Sequence, residues 1–171
     1  MWPWGHLAFG YLLYLPYEWR RGGDAASWLA LGALAVGTQF PDGIDKPLAW
    51  TVGVLPSGRS FAHSILTLAV VVGVCYVVCR RYDRKAVSVA FGVGYASHLV
   101  ADSITHVLAS EFQYLVFLVW PLLGAPPYGD EGSFVSHFAN IELTSFFAFE
   151  LALVATMSLV FVRRFHRYRA D

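Results

Sequence analysis

The stretch "GYASHLVADSITH", residues 94–106, sets His98, Asp102 and His106 four residues apart within an otherwise apolar run. On a helix, residues four apart share a face. An imidazole and a carboxylate therefore stand side by side at His98 and Asp102, and His106 extends the row by one turn. A charge placed in a bilayer costs about 2.5–3.5 kcal/mol on insertion scales. A bound divalent cation offsets that cost, because it neutralises carboxylates and takes imidazole nitrogens as ligands.

The same residue types recur at the ends of other apolar runs. His6 stands in "GHLAFG", Asp42 and Asp45 in "QFPDGIDKP", and His63 in "SGRSFAHSIL". His6, Asp42, Asp45, His63, His98 and Asp102 make three imidazoles and three carboxylates, a ligand set for a hard or borderline divalent metal. They come from four separated segments, as expected for a site inside a helical bundle. Ser64 and Thr105 are candidates to hydrogen-bond the ligands. His137 and Glu142 fall on a polar loop and are expected to be solvated. His166 lies among arginines far from this set and is excluded.

These residues need apolar elements to carry them. The 171-residue chain is 57% hydrophobic and only 14% charged, with a mean hydropathy of +0.52. Average soluble domains carry roughly 25% charged residues, so this chain is expected to be an integral membrane protein with one domain, residues 1–171. Five apolar runs predict an all-α, polytopic bundle of about five spanning helices, at about 4–19, 26–40 (ending at Pro41), 61–79, 86–108 and 143–162. A sixth piece, 112–124, is too short to span and reads as re-entrant or interfacial. The formal net charge is zero, which gives no reason to expect nucleic acid as a partner. Cys75 and Cys79, four apart on a helix, fit neither a zinc knuckle nor a disulfide.

The basic residues set an orientation. Arg20 and Arg21, then Arg80, Arg81, Arg84 and Lys85, then Arg163, Arg164, Arg167 and Arg169 follow the first, third and last runs. Cytoplasmic loops are enriched in Lys and Arg. Five spans place all three clusters in the cytoplasm, with the N-terminus and the His/Asp set extracytoplasmic and the C-terminus cytoplasmic. The first ten residues lack the basic region of a signal peptide, and Trp2 and Trp4 read as interfacial anchors. At 1.5 Å per residue, His98 and Asp102 lie ~18 and ~24 Å above Ala86, in the outer part of the bilayer.

The pieces "GHLAFG", "FPDGID", "GRSFAHS", "GYASHLVADSIT" and "WPL" occur in this order. In them the chain resembles the YdjM-like (DUF457) membrane-bound metal-dependent hydrolases. Where that family usually carries P-D-x-D, Asp42 and Asp45 here stand three apart. Gly58 and Ala62 replace the family's usual His before Arg59 and Thr before His63. More remotely the order resembles the zinc-dependent phospholipase C and P1 nuclease group. The resemblance implies a hydrolase of the inner membrane with two or more divalent ions, zinc first and manganese or magnesium as alternatives. It further implies a phosphoester substrate; a site at headgroup depth favours a lipid or lipid-linked one. In such an enzyme Arg59 is a candidate to pair with a substrate phosphate. His106 is a candidate further ligand or proton donor to the leaving group, and Trp120 and Pro121 belong to a candidate lid. Two other readings use the same residues: a divalent-cation transporter, and a closed structural metal site that holds the bundle together.

Overall fold

A proline at the first helical position, where no amide donor is needed, opens α1 (Pro3–Arg21). Serine side chains start the next two long helices. Ser27 Oγ accepts from the Ala30 amide at 3.2 Å to cap α2 (Trp28–Lys46), and Ser64 Oγ accepts from Leu66 at 3.2 Å to cap α3 (Ile65–Arg81). Two further helices, α4 (Lys85–Leu108) and α5 (Ser145–Ala170), complete the set. This computed structural model describes residues 1–124, 135, 139 and 141–170. No strand occurs among them, so the all-α expectation holds. His137 and most of the 125–140 loop lie outside the described residues.

The helix at the centre is α4. It packs against α1, α2 and α3, while α5 packs along α1. Its inner face buries Ala90, Phe91, Tyr95, Leu99 and Ala101 together with His98 and Asp102. By contrast, α3 buries no residue, and Val70, Val74 and Val77 on it are more than half exposed. Two helical stretches, Lys85–Leu108 and Ser145–Phe165, are long and apolar enough to cross a membrane. Only 6% of the apolar window in the second is buried, against 56% in the first. The apolar outer surfaces of α3 and α5 suit a hydrocarbon solvent better than water.

One boundary differs from the sequence expectation in a way that bears on the site. The second helix does not stop at Pro41 but runs through it to Lys46. Proline removes one helical hydrogen bond, yet Pro41 is buried in the bundle, where packing holds the turn. Asp42 and Asp45 therefore ride on the last turns of α2, on neighbouring positions of one face, rather than on a loop beyond it. The 112–124 segment forms a short 3-10 helix, Phe112–Val119. Ser64 Oγ donates to the Trp120 carbonyl at 2.7 Å and ties that segment to the start of α3.

The approach of α2 to α4 rests on two glycines. A Cβ on Gly37 would stand 2.3 Å from the Phe91 carbonyl oxygen, and one on Gly94 would stand 2.4 Å from the Leu34 carbonyl oxygen. Small residues let helix backbones come this close. Thr38 follows Gly37 directly, and His98 lies one turn beyond Gly94, so the same contact sets their spacing. Gly94→Ala is expected to destabilise the protein by about 1–3 kcal/mol through forced separation of the helices, read as a lower midpoint of thermal unfolding in detergent. Gly32→Ala, where an added Cβ meets nothing within 4 Å, should leave the midpoint unchanged or raised.

Candidate metal centre

Four buried side chains converge: Asp42 from α2, His63 from the segment before α3, and His98 and Asp102 from α4. Each offers one ligand atom, and these atoms all lie within 4.8 Å of one another. His63 Nε2 stands 3.1 Å from His98 Nε2. Asp42 Oδ1 is 3.5 Å from His63 Nε2 and 3.7 Å from His98 Nε2, and Asp102 Oδ2 is 3.7 and 3.8 Å from the same two nitrogens.

The far side of each imidazole fixes what its near side can do. His98 Nδ1 lies 2.7 Å from the Thr38 carbonyl oxygen, which can only accept, so Nδ1 must carry the proton. His63 Nδ1 lies 2.8 Å from Asp45 Oδ2 and donates in the same way. In the neutral rings, both Nε2 atoms are then lone pairs aimed at each other. Two lone pairs at that distance repel unless a cation sits against both. Nitrogens about 2.0–2.1 Å from one tetrahedral ion stand roughly 3.3 Å apart, close to the separation seen.

The carboxylates fit the same interpretation. Asp42 Oδ2 accepts from Lys46 Nζ at 2.7 Å, while Asp42 Oδ1, which faces the histidines, is buried with no hydrogen-bond partner among the described residues. Asp102 Oδ2 accepts from Arg59 Nε at 2.8 Å. The Asp42/His63/His98/Asp102 group can therefore hold a metal ion, with two anionic oxygens, two neutral nitrogens and three outer cations, Lys46 on Asp42 and Arg59 and the Met1 amino group on Asp102, that limit the excess negative charge.

The remaining sequence candidates fall around this group. Asp45 lies behind His63, outside the group. Its oxygens take the backbone amides of Ser60, Ala62 and His63 at 2.8–3.2 Å as well as the His63 ring, so it orients a ligand and anchors the segment that carries it. The Tyr95 hydroxyl donates to the Ala62 carbonyl and holds the same segment on α4. His6 stacks on His98 with ring centres 3.8 Å apart. His6 Nε2 stands 3.2 Å from Asp102 Oδ1, yet neither His6 nitrogen has a hydrogen-bond partner among the described residues. Arg59 pairs with Asp102 and is partly exposed. His106 turns to Glu111, with Nδ1 3.5 Å from Oε2, and stacks on Tyr114. Ser64 serves as helix cap and tie rather than touching a ligand, and Thr105 and Glu142 are exposed.

Sequence reasoning missed Glu150. It is buried on α5, and both its oxygens lie 3.2 Å from the Trp2 amide at the start of α1, the helix that carries His6. A lone acid in the middle of an otherwise apolar helix was the available signal. The Thr38 carbonyl had none, because its role depends on backbone geometry.

A nitrogen ligand must be free of its proton to take a metal. Metal affinity is thus expected to fall as pH drops through the ordinary histidine value of about 6.5, as followed by competition with a chelator across pH. Asp45→Asn should weaken metal binding by about 10–100-fold while leaving the ligand atoms in place; His98→Ala should abolish metal retention through gel filtration.

Among curated proteins and among solved structures, none matches the chain. A family model described as YdjM inner membrane protein matches residues 1–169. With its buried Asp/His/His/Asp group and its membrane-length helices, the chain belongs to the YdjM inner membrane protein family.

Proposed function

We propose that this protein is a membrane-embedded, metal-dependent hydrolase that cleaves a phosphoester of a lipid or lipid-linked substrate on the extracytoplasmic face. The observation that carries the reading is the pair of imidazole Nε2 atoms 3.1 Å apart with a partnerless Asp42 oxygen beside them. A cation bound between them would reconcile these atoms at that spacing.

A five-span arrangement supports the location. At 1.5 Å per residue, helices of 17–26 residues reach roughly 26–39 Å, against a hydrocarbon slab of about 30 Å. With each helix crossing once, the basic ends of α1, α3 and α5 share the cytoplasmic side. The metal group then lies toward the outer leaflet, within reach of headgroups.

The chemistry follows from the donor set. A donor set of two nitrogens and two carboxylate oxygens would suit zinc, with manganese or magnesium as alternatives. Asp102 Oδ1 accepts from the Met1 amino group at 3.1 Å, so His6, stacked on His98, would be the nearest further donor to a second ion. When bound, such ions polarise an ester oxygen and activate water. The chain does the rest. Asp45 and the Thr38 carbonyl hold the His63 and His98 protons on the outer nitrogens, so the inner ones stay available. Arg59, its side chain 30% exposed, reaches from Asp102 toward the outside and supplies positive charge for a phosphate oxygen. His106, engaged with Glu111, is given no step. The remote resemblance to phospholipase C and P1 nuclease enzymes supports the phosphoester class.

Complete burial of both histidines favours a second reading, in which the ion is structural. Purified protein of measured metal content, assayed on a panel of phospholipids and lipid-linked phosphates, decides between them. The hydrolase reading expects turnover that chelation removes and zinc restores. It expects at least a ~100-fold loss in Asp42→Ala and a raised KM in Arg59→Ala assayed at saturating zinc. Full metal content without turnover on any member of the panel contradicts it, and cation flux in liposomes under those conditions would make the protein a transporter.

A further inference from the structure

A second polar site lies at the opposite end of α1. Glu18 is twelve residues from His6, about 18 Å along the helix axis, and belongs to no part of the metal centre. It borders a cavity of about 680 Å³ between α1, α2 and α5, lined chiefly by Tyr11, Glu18, Trp28, Phe161, Arg164 and Phe165. That volume is in the range of small-molecule sites.

The carboxylate is only half satisfied. Glu18 is 2% exposed. Its Oε1 accepts from Arg164 Nη2 at 2.7 Å, while its Oε2 is buried with no hydrogen-bond partner among the described residues. A buried anionic oxygen without a donor is costly, and here the cavity is where a donor can come from. Four of the other lining residues are aromatic: Tyr11, Trp28, Phe161 and Phe165. Trp28 meets both Phe161 and Phe165 edge-on at 6.1 Å, and Tyr11 meets Phe161 at 6.0 Å. Aromatic rings beside a carboxylate favour an ammonium group.

The surroundings narrow the occupant. Exposed Arg20, Arg21 and Arg163 lie at the same end of the bundle and suit a phosphate. Trp28 itself is 67% exposed on the apolar outer surface, where lipid chains would run. A quaternary ammonium has no N–H to give Glu18, and an anionic headgroup would meet its charge. We propose that this cavity binds the headgroup of a primary-amine phospholipid in the leaflet opposite the metal centre, with the ammonium donating to Glu18 Oε2 and the phosphate toward the arginines.

Native mass spectrometry of the full chain, released from micelles holding equal phosphatidylethanolamine and phosphatidylcholine of identical acyl chains, tests this. The wild type should retain the primary-amine lipid about tenfold over the choline lipid, as one charge-assisted hydrogen bond provides. Glu18→Gln should bring the two to near parity, and Trp28→Ala should lower retention of the primary-amine lipid several-fold. Metal content, set at the far end of the bundle, should stay at the wild-type level in both variants and so report intact folding. Parity in the wild type, or a preference that survives both substitutions, overturns the proposal.

Discussion

Two imidazole nitrogens held face to face are the constraint on which the rest of the protein depends. Each ring is clamped from behind by an acceptor, the Thr38 carbonyl for His98 and the Asp45 carboxylate for His63. Those clamps leave His63 and His98 lone pairs in repulsive contact unless positive charge lies against both. Burial sharpens the conflict, since the low dielectric strengthens every unbalanced charge. The carboxylates of Asp42 and Asp102 meet Lys46 and Arg59 on their outer sides, and the group they form with the two rings can take a cation.

The fold can be followed outward from that constraint. His98 reaches the Thr38 carbonyl because Gly37 and Gly94 let α2 and α4 approach to backbone contact. Asp42 joins them because α2 continues through Pro41 for another turn. His63 arrives on a non-helical segment, and Asp45 takes that segment's amides as well as the ring, so one carboxylate both shapes the loop and sets the tautomer. A substitution in a glycine or in Asp45 therefore acts on the metal group without touching a ligand atom. The aromatic cavity around Glu18 is independent of this chain of contacts and lies beyond its far end.

Much of this was legible in the sequence, in the parts that depend on local pattern. Apolar run lengths gave an all-helical chain, and four-residue spacing put His98 and Asp102 on one face. The shared placement of His and Asp at run ends singled out the residues that gather. What escaped was decided by contacts distant in sequence. Pro41 carries a stop signal, which tertiary packing overrides. Asp42 and Asp45 are the same residue type three apart, and only the loop folding over one of them separates ligand from support. His106 continues the spacing of His98 and Asp102, but Glu111, just past the helix end, draws it away. Glu150 was missed, because its partner is the backbone at the other end of the chain.

The direct measurement is anomalous X-ray scattering from crystals of the intact protein at the absorption edge of the bound element. The account predicts a peak about 2.0–2.2 Å from both His63 Nε2 and His98 Nε2, with Asp42 Oδ1 and Asp102 Oδ2 completing its surroundings. Crystals of active protein with no peak between those nitrogens, or with the ion bound away from them, would contradict it.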